Sequence, residues 1–381
     1  MTDNGNDTDS SPSGDPWLLT PGPLTTSLSV KQAMLHDYGS RDATFIDLNT
    51  RILERLVAIV HGEGSHVSIP LQGSGTFAVE AMIGNFVPAD GKLLILINGA
   101  YGRRIATICD YYRREYLMQE SAEDVPVDTA VLDATLDADP DIGHVVLVHC
   151  ETTSGILNPV AEVAATVARH GRSLLLDSMS AFGALALDAR EIEFDAVVAS
   201  SNKCLEGVPG MGFCVARESV LVNTEGNSPS LVLDLYDQWR MLQQSRQWRF
   251  TPPTHVLLAF DQALREFEAE GGVTGRGRRY RENCALLIGG MRAMGFRTLL
   301  PDELQAPIIV SFFMPTNPQF DFNDFYDGLK HRGYVIYPGK LTVADSFRMG
   351  CIGRLDRVQI LGALDAVADV LSQFGIARIE S

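Results

Sequence analysis

Residues 173–203 read SLLLDSMSAFGALALDAREIEFDAVVASSNK, and this stretch decides the fold. It contains two short apolar runs, Ser173–Leu176 and Ala196–Ala199, separated by a polar, turn-rich segment. Asp177 ends the first run, and Lys203 follows shortly after the second. Short buried strands of this kind, alternating with helices, are typical of a parallel sheet covered on both faces. The stretch therefore predicts two strands of an α/β fold with an acid and an amine beyond their ends.

The same pattern of short apolar runs continues on both sides of this stretch. Apolar runs at Leu93–Ile97 and Val145–Val148 predict two more strands, and Gly212–Ala216 predicts a further one. Apolar residues at helical spacing predict helices at Asp47–Val60 and Phe77–Phe86, before these runs, and at Val160–His170, between two of them. We therefore expect a large domain with a mainly parallel sheet flanked by helices.

The pattern changes after Thr254. Helical periodicity predicts helices from His255 to Glu270, onward through Met294, and finally from Asp356 to Phe374, while Ile308–Phe313 and Tyr334–Tyr337 are strand-like. This mixture favours a smaller α+β domain. The predicted organisation is a disordered acidic tail at residues 1–16, a large domain with an N-terminal segment at 17–254, and a small C-terminal domain at 255–381.

Charge and composition narrow the class of protein. The 381 residues carry a formal net charge of −17, which opposes binding to a phosphate backbone and argues against nucleic acid as a partner. No run of about 18 apolar residues is present, so no membrane span is expected. The N-terminus lacks the pattern of a secretory signal. Six scattered cysteines without metal-ligand spacing predict reduced thiols, no metal site and a cytoplasmic location.

Three segments carry chemistry, and each also has a simpler interpretation. An acid at the end of a strand, such as Asp177, can pair with a buried cationic nitrogen or can merely cap the next helix. Lys203 is either an amine nucleophile activated by burial or an ordinary surface lysine. Gly73–Thr76, with the sequence GSGT, opens a helix and can bind a phosphate, although a tight turn would look the same. The absence of G-x-G-x-x-G argues against a dinucleotide fold.

The order of these segments favours one cofactor. A phosphate cradle comes first, then an acid at a strand end, then a lysine one strand later. Pyridoxal 5'-phosphate (PLP) requires this combination, because it needs a phosphate anchor, a carboxylate for its pyridinium nitrogen and an amine for its aldehyde.

The ordered motifs LLTPGPLTTS, LQGSGTFAVE, NGAYGRR, HCETTSG, LLLDSMSAFG, SSNKCLEGVPG, FTPPTH, VIYPGK and FRMGCIG extend this interpretation. Together they resemble the 2-aminoethylphosphonate–pyruvate transaminases, within the alanine–glyoxylate and serine–pyruvate aminotransferase group of PLP fold type I. The resemblance runs from about Leu18 to Leu371. It implies a PLP-dependent transferase fold with a large and a small domain.

The resemblance also implies roles for the residues that bind the cofactor. Lys203 would hold PLP as a Schiff base and move the proton during transfer. Asp177 would pair with the ring nitrogen, and Ser74, Gly75 and Thr76 would bind the phosphate.

Four further residues receive roles in the same way. Tyr101 would stack on the ring, and Thr152 would reach the phenolic oxygen of the cofactor. Thr254 would reach the phosphate of a partner subunit, which implies a homodimer. Arg348 would bind the acidic group of the substrate.

The implied activity is transfer of the amino group of 2-aminoethylphosphonate to pyruvate, which gives phosphonoacetaldehyde and L-alanine in phosphonate catabolism. The segment HDYGSRDATF, residues 36–45, departs from the pattern of these transaminases and is closer to the alanine–glyoxylate side of the group. Three alternatives stay open: an alanine–glyoxylate or serine–pyruvate aminotransferase, a PLP lyase acting on a related amino phosphonate, and a PLP-binding protein without catalytic activity.

Overall fold

The computed structural model of the chain describes residues 11, 13–342 and 344–379. Most of the predicted disordered tail, residues 1–10 and 12, lies outside the described residues. Within its described part, Asp15 forms an ion pair with Lys31, whose Nζ lies 2.5 Å from the carboxylate. No helix of the described residues has both the length and the apolar character that crossing a membrane requires.

The described residues form short strands and longer helices. The strands, in chain order, are β1 (Trp17–Leu18), β2 (His66–Gly73), β3 (Lys92–Ile97), β4 (Glu115–Glu120), β5 (Ile142–Val148), β6 (Cys150–Glu151), β7 (Ile156–Leu157), β8 (Ser173–Asp177), β9 (Ala196–Ser200), β10 (Gly210–Arg217), β11 (Ile309–Phe313), β12 (Tyr334–Val335), β13 (Tyr337–Pro338) and β14 (Ser346–Gly350). The helices are α1 (Leu28–Gln32), α2 (Ala43–Ile59), α3 (Gly75–Phe86), α4 (Ala100–Tyr112), α5 (Thr129–Ala138), α6 (Val160–Arg169), α7 (Glu218–Leu221), α8 (Leu235–Ser245), α9 (Thr254–Ala269), α10 (Gly272–Ala293), α11 (Phe322–His331) and α12 (Arg357–Gln373), with a 3-10 turn at Ala33–Leu35.

The main sheet has seven strands in the order β2-β10-β9-β8-β5-β3-β4. The run from β9 to β4 is parallel throughout, while β10 lies antiparallel to both of its neighbours. Asp177 of β8 is opposite Val198 of β9, so the ends of these two strands meet at one edge of the sheet. The predicted α/β class with a mainly parallel sheet is therefore confirmed.

Two strands of this sheet were not predicted from the sequence. β2 contains Pro70 and ends in Gly73, and these residue types weaken a strand pattern. β4, at the edge of the sheet, has mostly polar and exposed side chains, so it lacks an apolar run. Both strands form because a neighbouring strand supplies hydrogen-bonding partners, which local sequence does not reveal.

Apolar side chains alternate along the central strands and fill one core on each face of the sheet. Leu94 and Leu96 of β3 pack into a core shared with α2, α6 and α9, whereas Leu93, Ile95 and Ile97 pack into the core shared with α3 and α4. Helices on both faces leave the carboxyl edge of the parallel strands as the place where polar side chains gather.

A second, smaller unit contains β11, β14 and β13 in that order, with α10, α11 and α12 against it. Strand β1 near the N-terminus pairs with β12, and Trp17 and Leu19 are buried in the core of this unit. The packing partners of the helices change at this point of the chain: α9 packs on the main sheet, whereas α10 packs on α12. The domain boundary at residues 254 and 255 stays a prediction.

Candidate functional site

A cavity of about 470 Å³ opens at the carboxyl edge of the parallel strands. It lies where β8 and β9 end and where α3 and α4 begin, so it is built by loops rather than by strand interiors. Its walls come from these residues: Gly73, Ser74, Gly75, Thr76, Val79, Tyr101, Arg104, Asp177, Met179, Ser200, Asn202, Lys203, Pro209 and Gly210. The structure thus brings together six of the residues singled out in the sequence, namely Ser74, Gly75, Thr76, Tyr101, Asp177 and Lys203.

Lys203 lies in the loop that follows β9. Its Nζ donates a 2.7 Å hydrogen bond to the carbonyl oxygen of Pro21, in the N-terminal segment. Burial lowers the pKa of Lys203, and the positive charge of Lys340 lowers it further, although Tyr101 and Asp177 act in the opposite direction. An amine with a lowered pKa is more often neutral, which suits a nucleophile.

Asp177, the last residue of β8, is buried at the cavity. Its carboxylate accepts a 2.9 Å hydrogen bond from the backbone N–H of Met179, but a turn follows it rather than a helix. Burial raises the pKa of Asp177 to about 6, only partly opposed by that hydrogen bond and by the charges of Arg104 and Lys203. The described residues include no salt-bridge partner for this carboxylate. A cationic group placed in the cavity would provide one.

The N-terminus of α3 forms one end of the cavity. Ser74 is the N-cap residue, and its hydroxyl does not cap the helix, which leaves it available to a ligand. The hydroxyl of Thr76 accepts a 3.2 Å hydrogen bond from Arg104. Because Gly75 has no side chain, the backbone at the start of α3 can lie close to the side chain of Met179, which a Cβ at this position would overlap. Free backbone N–H groups, two hydroxyls and an arginine at a helix N-terminus are suited to binding an anion.

Tyr101, in the first turn of α4, forms a side wall. The guanidinium carbon of Arg104 lies 4.9 Å from the centroid of its ring, and Nζ of Lys340 lies 5.4 Å from it. Burial acts to raise the pKa of Tyr101, but a hydrogen bond from Thr152 and the charges of Lys340 and Lys203 outweigh it and lower the pKa. The ring therefore sits among cations.

Glu151 was not singled out from the sequence, although it is fully buried. Its carboxylate accepts a 2.6 Å hydrogen bond from the hydroxyl of Thr153 and a 3.0 Å hydrogen bond from the backbone N–H of Tyr101. It thereby fixes the segment after β5 against the N-terminus of α4. The only sequence signal was a carboxylate among small residues in HCETTSG, where no charged partner is nearby.

Arg348 lies in β14, and only 2% of its surface is exposed. Its Nη1 donates a 2.9 Å hydrogen bond to the carbonyl oxygen of Thr152, and its Nε donates a 3.1 Å hydrogen bond to that of Pro338. Arg348 thus connects the small unit to the segment that bears Thr152 and Glu151. Burial lowers the pKa of this guanidinium, while Tyr101 and Glu151 oppose the shift by their charge.

Thr254 is separated from this group. It is the first residue of α9, and its hydroxyl lies 3.5 Å from Nδ1 of His255. It is not among the described residues that line the cavity of its own chain. Its predicted role at the site of a partner subunit stays a prediction.

The cavity is suited to a ligand with three different functional groups. The N-terminus of α3 can bind a phosphate, Asp177 can pair with a buried cation, and Lys203 can react with an aldehyde. The hydroxyl of Ser200, also at the cavity, is buried and has no hydrogen-bonding partner among the described residues, so it too is open to a ligand.

Comparison of the sequence with known proteins shows similarity to aminotransferases. The family model described as aminotransferase class-V matches residues 119–347. The 2-aminoethylphosphonate–pyruvate transaminase 2 of Burkholderia lata is 54% identical over 366 residues, which cover 96% of this chain and 97% of that protein. The 2-aminoethylphosphonate–pyruvate transaminase of Pseudomonas putida is 53% identical over 367 residues, covering 96% and 100%.

Solved structures resemble the fold at lower identity. The ureidoglycine–glyoxylate aminotransferase of Bacillus subtilis superimposes with a TM-score of 0.87 at 22% identity, over 96% of this chain and 95% of that one. At this identity the likeness concerns the fold.

Proposed function

The chain belongs to the class-V aminotransferases and, within them, to the family of 2-aminoethylphosphonate–pyruvate transaminases, and we propose that it transfers the amino group of 2-aminoethylphosphonate to pyruvate. The products are phosphonoacetaldehyde and L-alanine. The observation that carries this proposal is the sequence identity of 53% and 54% to two such transaminases, over 96% of this chain in each case. The activity is that of an aminotransferase, and the proposal concerns its two substrates.

The proposed cofactor is PLP, whose phosphate, ring nitrogen and aldehyde match the three binding features of the cavity. Ser74, Gly75 and Thr76 would hold its phosphate, Asp177 its ring nitrogen and Lys203 its aldehyde. When bound, PLP supplies an electron sink for the carbon from which the substrate loses a proton. Tyr101 would lie against the ring and exclude water from that face.

Lys203 and Asp177 would have different roles toward protons: Lys203 would transfer one, and Asp177 would keep one on the ring nitrogen. Burial favours a neutral Nζ on Lys203, which can take the proton from the amino-bearing carbon of the donor and return it during the second half of the cycle. Asp177 stays unprotonated when it faces a cationic nitrogen, because the two charges stabilise each other in the buried site. The carboxylate thereby keeps the nitrogen protonated.

Arg348 is the proposed binding site for the acidic group of each substrate. The phosphonate of the donor and the carboxylate of pyruvate both present oxygens that a guanidinium can bind in a bidentate way. The hydrogen bonds from Arg348 to the carbonyl oxygens of Thr152 and Pro338 fix its position, and donors on Nη2 stay available. One arginine can therefore serve both halves of the cycle. Thr152, whose hydroxyl now bonds to Tyr101, would contact the phenolic oxygen of the cofactor.

A homodimer in the cytoplasm is the proposed assembly and location. Thr254 begins α9 away from the cavity of its own chain, so it is free to approach the phosphate site of a second subunit. The net charge of −17 and the absence of an apolar span in the described residues agree with an aqueous compartment.

A donor screen tests the proposed function. The purified holoenzyme is mixed with 2-aminoethylphosphonate, alanine or serine, and loss of the cofactor absorbance is followed in the absence of any keto acid. We expect 2-aminoethylphosphonate to react, and pyruvate then to restore the absorbance with formation of alanine. A faster reaction with serine, restored by glyoxylate, would instead identify a serine or alanine–glyoxylate enzyme. Continuous turnover without a keto acid would identify a lyase.

A further inference from the structure

Lys340 places a second cation at the site. It lies between β13 and β14, in the segment 339–345, and its side chain is exposed. Its Nζ is 5.4 Å from the centroid of the Tyr101 ring, which forms a wall of the cavity. Lys340 forms no salt bridge within the described part of the chain. Its charge is therefore not neutralised by a neighbouring carboxylate.

The ammonium group of Lys340 lies against the ring of Tyr101, which is part of the cavity wall. Besides the effect of burial, its positive charge acts to lower the pKa of both Lys203 and Tyr101. An ammonium group held near another cation, without a carboxylate partner, is stabilised by an anionic ligand between or beside them.

A contact with the large domain fixes the segment that carries Lys340. The carboxylate of Glu123 is 4% exposed and accepts a 3.0 Å hydrogen bond from the backbone N–H of Thr342 and a 3.2 Å hydrogen bond from its hydroxyl. Arg103, on the same helix as Tyr101, lies 3.9 Å from that carboxylate. Glu123 therefore holds Thr342, two residues beyond Lys340, against the side of the site formed by Tyr101.

The two substrates differ in charge as well as in shape. A carboxylate carries one negative charge on two oxygens, whereas a phosphonate, like a phosphate ester, carries between one and two negative charges on three oxygens. Arg348 already gives its Nε donor and one Nη1 donor to backbone carbonyl oxygens, and it carries a single positive charge. A phosphonate bound there therefore retains a share of negative charge that a second cation can bind.

We propose that Lys340 is this second cation and determines the preference for a phosphonate donor, with Glu123 as the positioning residue that holds its segment through Thr342. This inference rests on the proposed function. It separates the two halves of the cycle, because Lys340 acts on the phosphonate and Arg348 on both substrates.

The test compares Lys340→Met with Lys330→Met in the holoenzyme. Lys330 is an exposed lysine at the end of α11 and serves as the matched control for loss of one surface charge. Single-turnover rates are measured with 2-aminoethylphosphonate, with its carboxylate analogue 3-aminopropanoate, and with alanine. Binding of methylphosphonate and acetate, which lack an amino group and cannot react, is measured by calorimetry.

We expect Lys340→Met to weaken the apparent affinity for 2-aminoethylphosphonate and for methylphosphonate by about 5- to 30-fold, the range for a partly exposed charged hydrogen bond. Affinities for 3-aminopropanoate, alanine and acetate should change less than about twofold, and Lys330→Met should change none of them. Thr342→Val, which loses the hydroxyl contact with Glu123, should shift the phosphonate ligands in the same direction by a smaller factor.

Equal losses for phosphonate and carboxylate ligands, or no loss for either, would overturn the inference. If the wild-type enzyme fails to react with 2-aminoethylphosphonate, the proposed function fails instead. The calorimetric comparison of methylphosphonate with acetate still decides the role of Lys340 in that case, because it does not depend on turnover.

Discussion

The amine of Lys203 donates a hydrogen bond of 2.7 Å to the carbonyl oxygen of Pro21, which is 182 positions earlier in the chain. The next residue, Gly22, has a φ of +119°, and a Cβ on it would lie 2.5 Å from Nζ of Lys203. The N-terminal segment therefore lies directly against the reactive amine and leaves it only the space that a glycine provides. When Lys203 carries no cofactor, the carbonyl oxygen of Pro21 accepts the hydrogen bond from its amine.

Gly22→Ala should slow the reaction of Lys203 with PLP by at least about tenfold, because the added methyl group forces apart two packed segments. The measurement is the rate at which absorbance of the covalent complex appears when PLP is added to cofactor-free enzyme. Gly64→Ala is the control, since Gly64 also has a positive φ of +80° but has open space around its Cβ position. Borohydride reduction and peptide mapping should place the pyridoxyl label on Lys203, and a label on another lysine would refute the assignment.

Asp177→Asn should change how the stability of the cofactor-free enzyme depends on pH. Burial raises the pKa of Asp177 from 3.8 to about 6, so the folded state binds the proton more tightly than the unfolded chain. The stabilisation this gives is complete below pH 3.8 and is lost as pH rises through about 6. From pH 4 to pH 7 the free energy of unfolding of the wild type should fall relative to the variant by roughly 2 to 3 kcal/mol.

Urea unfolding at each pH measures this difference, with Asp90→Asn as the control at an exposed position. The same variant should lose most turnover in the holoenzyme, because an amide cannot keep the ring nitrogen protonated. A pH-independent difference in stability together with wild-type turnover is the result that contradicts the role of Asp177.

Gly75→Ala should weaken PLP binding by roughly 5- to 100-fold. A Cβ on Gly75 overlaps the side chain of Met179, which is itself part of the cavity wall, and overpacking of this kind costs about 1–3 kcal/mol. Gly143→Ala is the matched control, because a Cβ on Gly143 has no neighbour within 4 Å. Equilibrium titration of the cofactor-free variants gives both affinities, and equal affinities would show that the N-terminus of α3 does not bind the cofactor.

Arg348→Ala should reduce kcat/KM by roughly 10- to 100-fold or more for both the phosphonate donor and the keto-acid acceptor. The loss includes two hydrogen bonds that fix Thr152 and Pro338. Arg348→Lys should restore only part, because a point charge cannot reproduce the planar guanidinium. Stopped-flow measurement of the two half-reactions decides this, since slowing of only one would mean that Arg348 does not serve both substrates.

Thr254→Ala should lower the affinity for PLP without altering the cavity of its own chain, because Thr254 is expected to act at the site of a partner subunit. Analytical ultracentrifugation of the wild type should give a dimer, and dilution below the dimer dissociation constant should release cofactor. A monomer that retains full activity and cofactor would exclude this arrangement.

Much of the fold could be predicted because the central strands of the parallel sheet are buried on both faces and therefore appear as continuous apolar runs. The runs ending at Leu176 and Ala199 correspond to β8 and β9, each extended by one residue in the structure. β14, which carries Arg348, was not predicted, because a charged residue interrupts its apolar pattern. The burial of Arg348 depends on hydrogen bonds to carbonyl oxygens of other segments, which the local sequence does not reveal. Glu151 was missed for the same reason.

The sequence by itself determined the α/β class, the family and the order of the phosphate cradle, Asp177 and Lys203, because these depend on residue type and on spacing along the chain. Only the tertiary structure decided which carbonyl oxygen receives the amine of Lys203, which carboxylate fixes α4 and which lysine faces Tyr101. These contacts join residues far apart in the chain: Lys340, which lies between β13 and β14, is 239 positions beyond Tyr101 of α4 (340 − 101). Hydrogen bonds and ionic contacts form over a few ångströms of space, and folding rather than sequence distance determines which groups come that close.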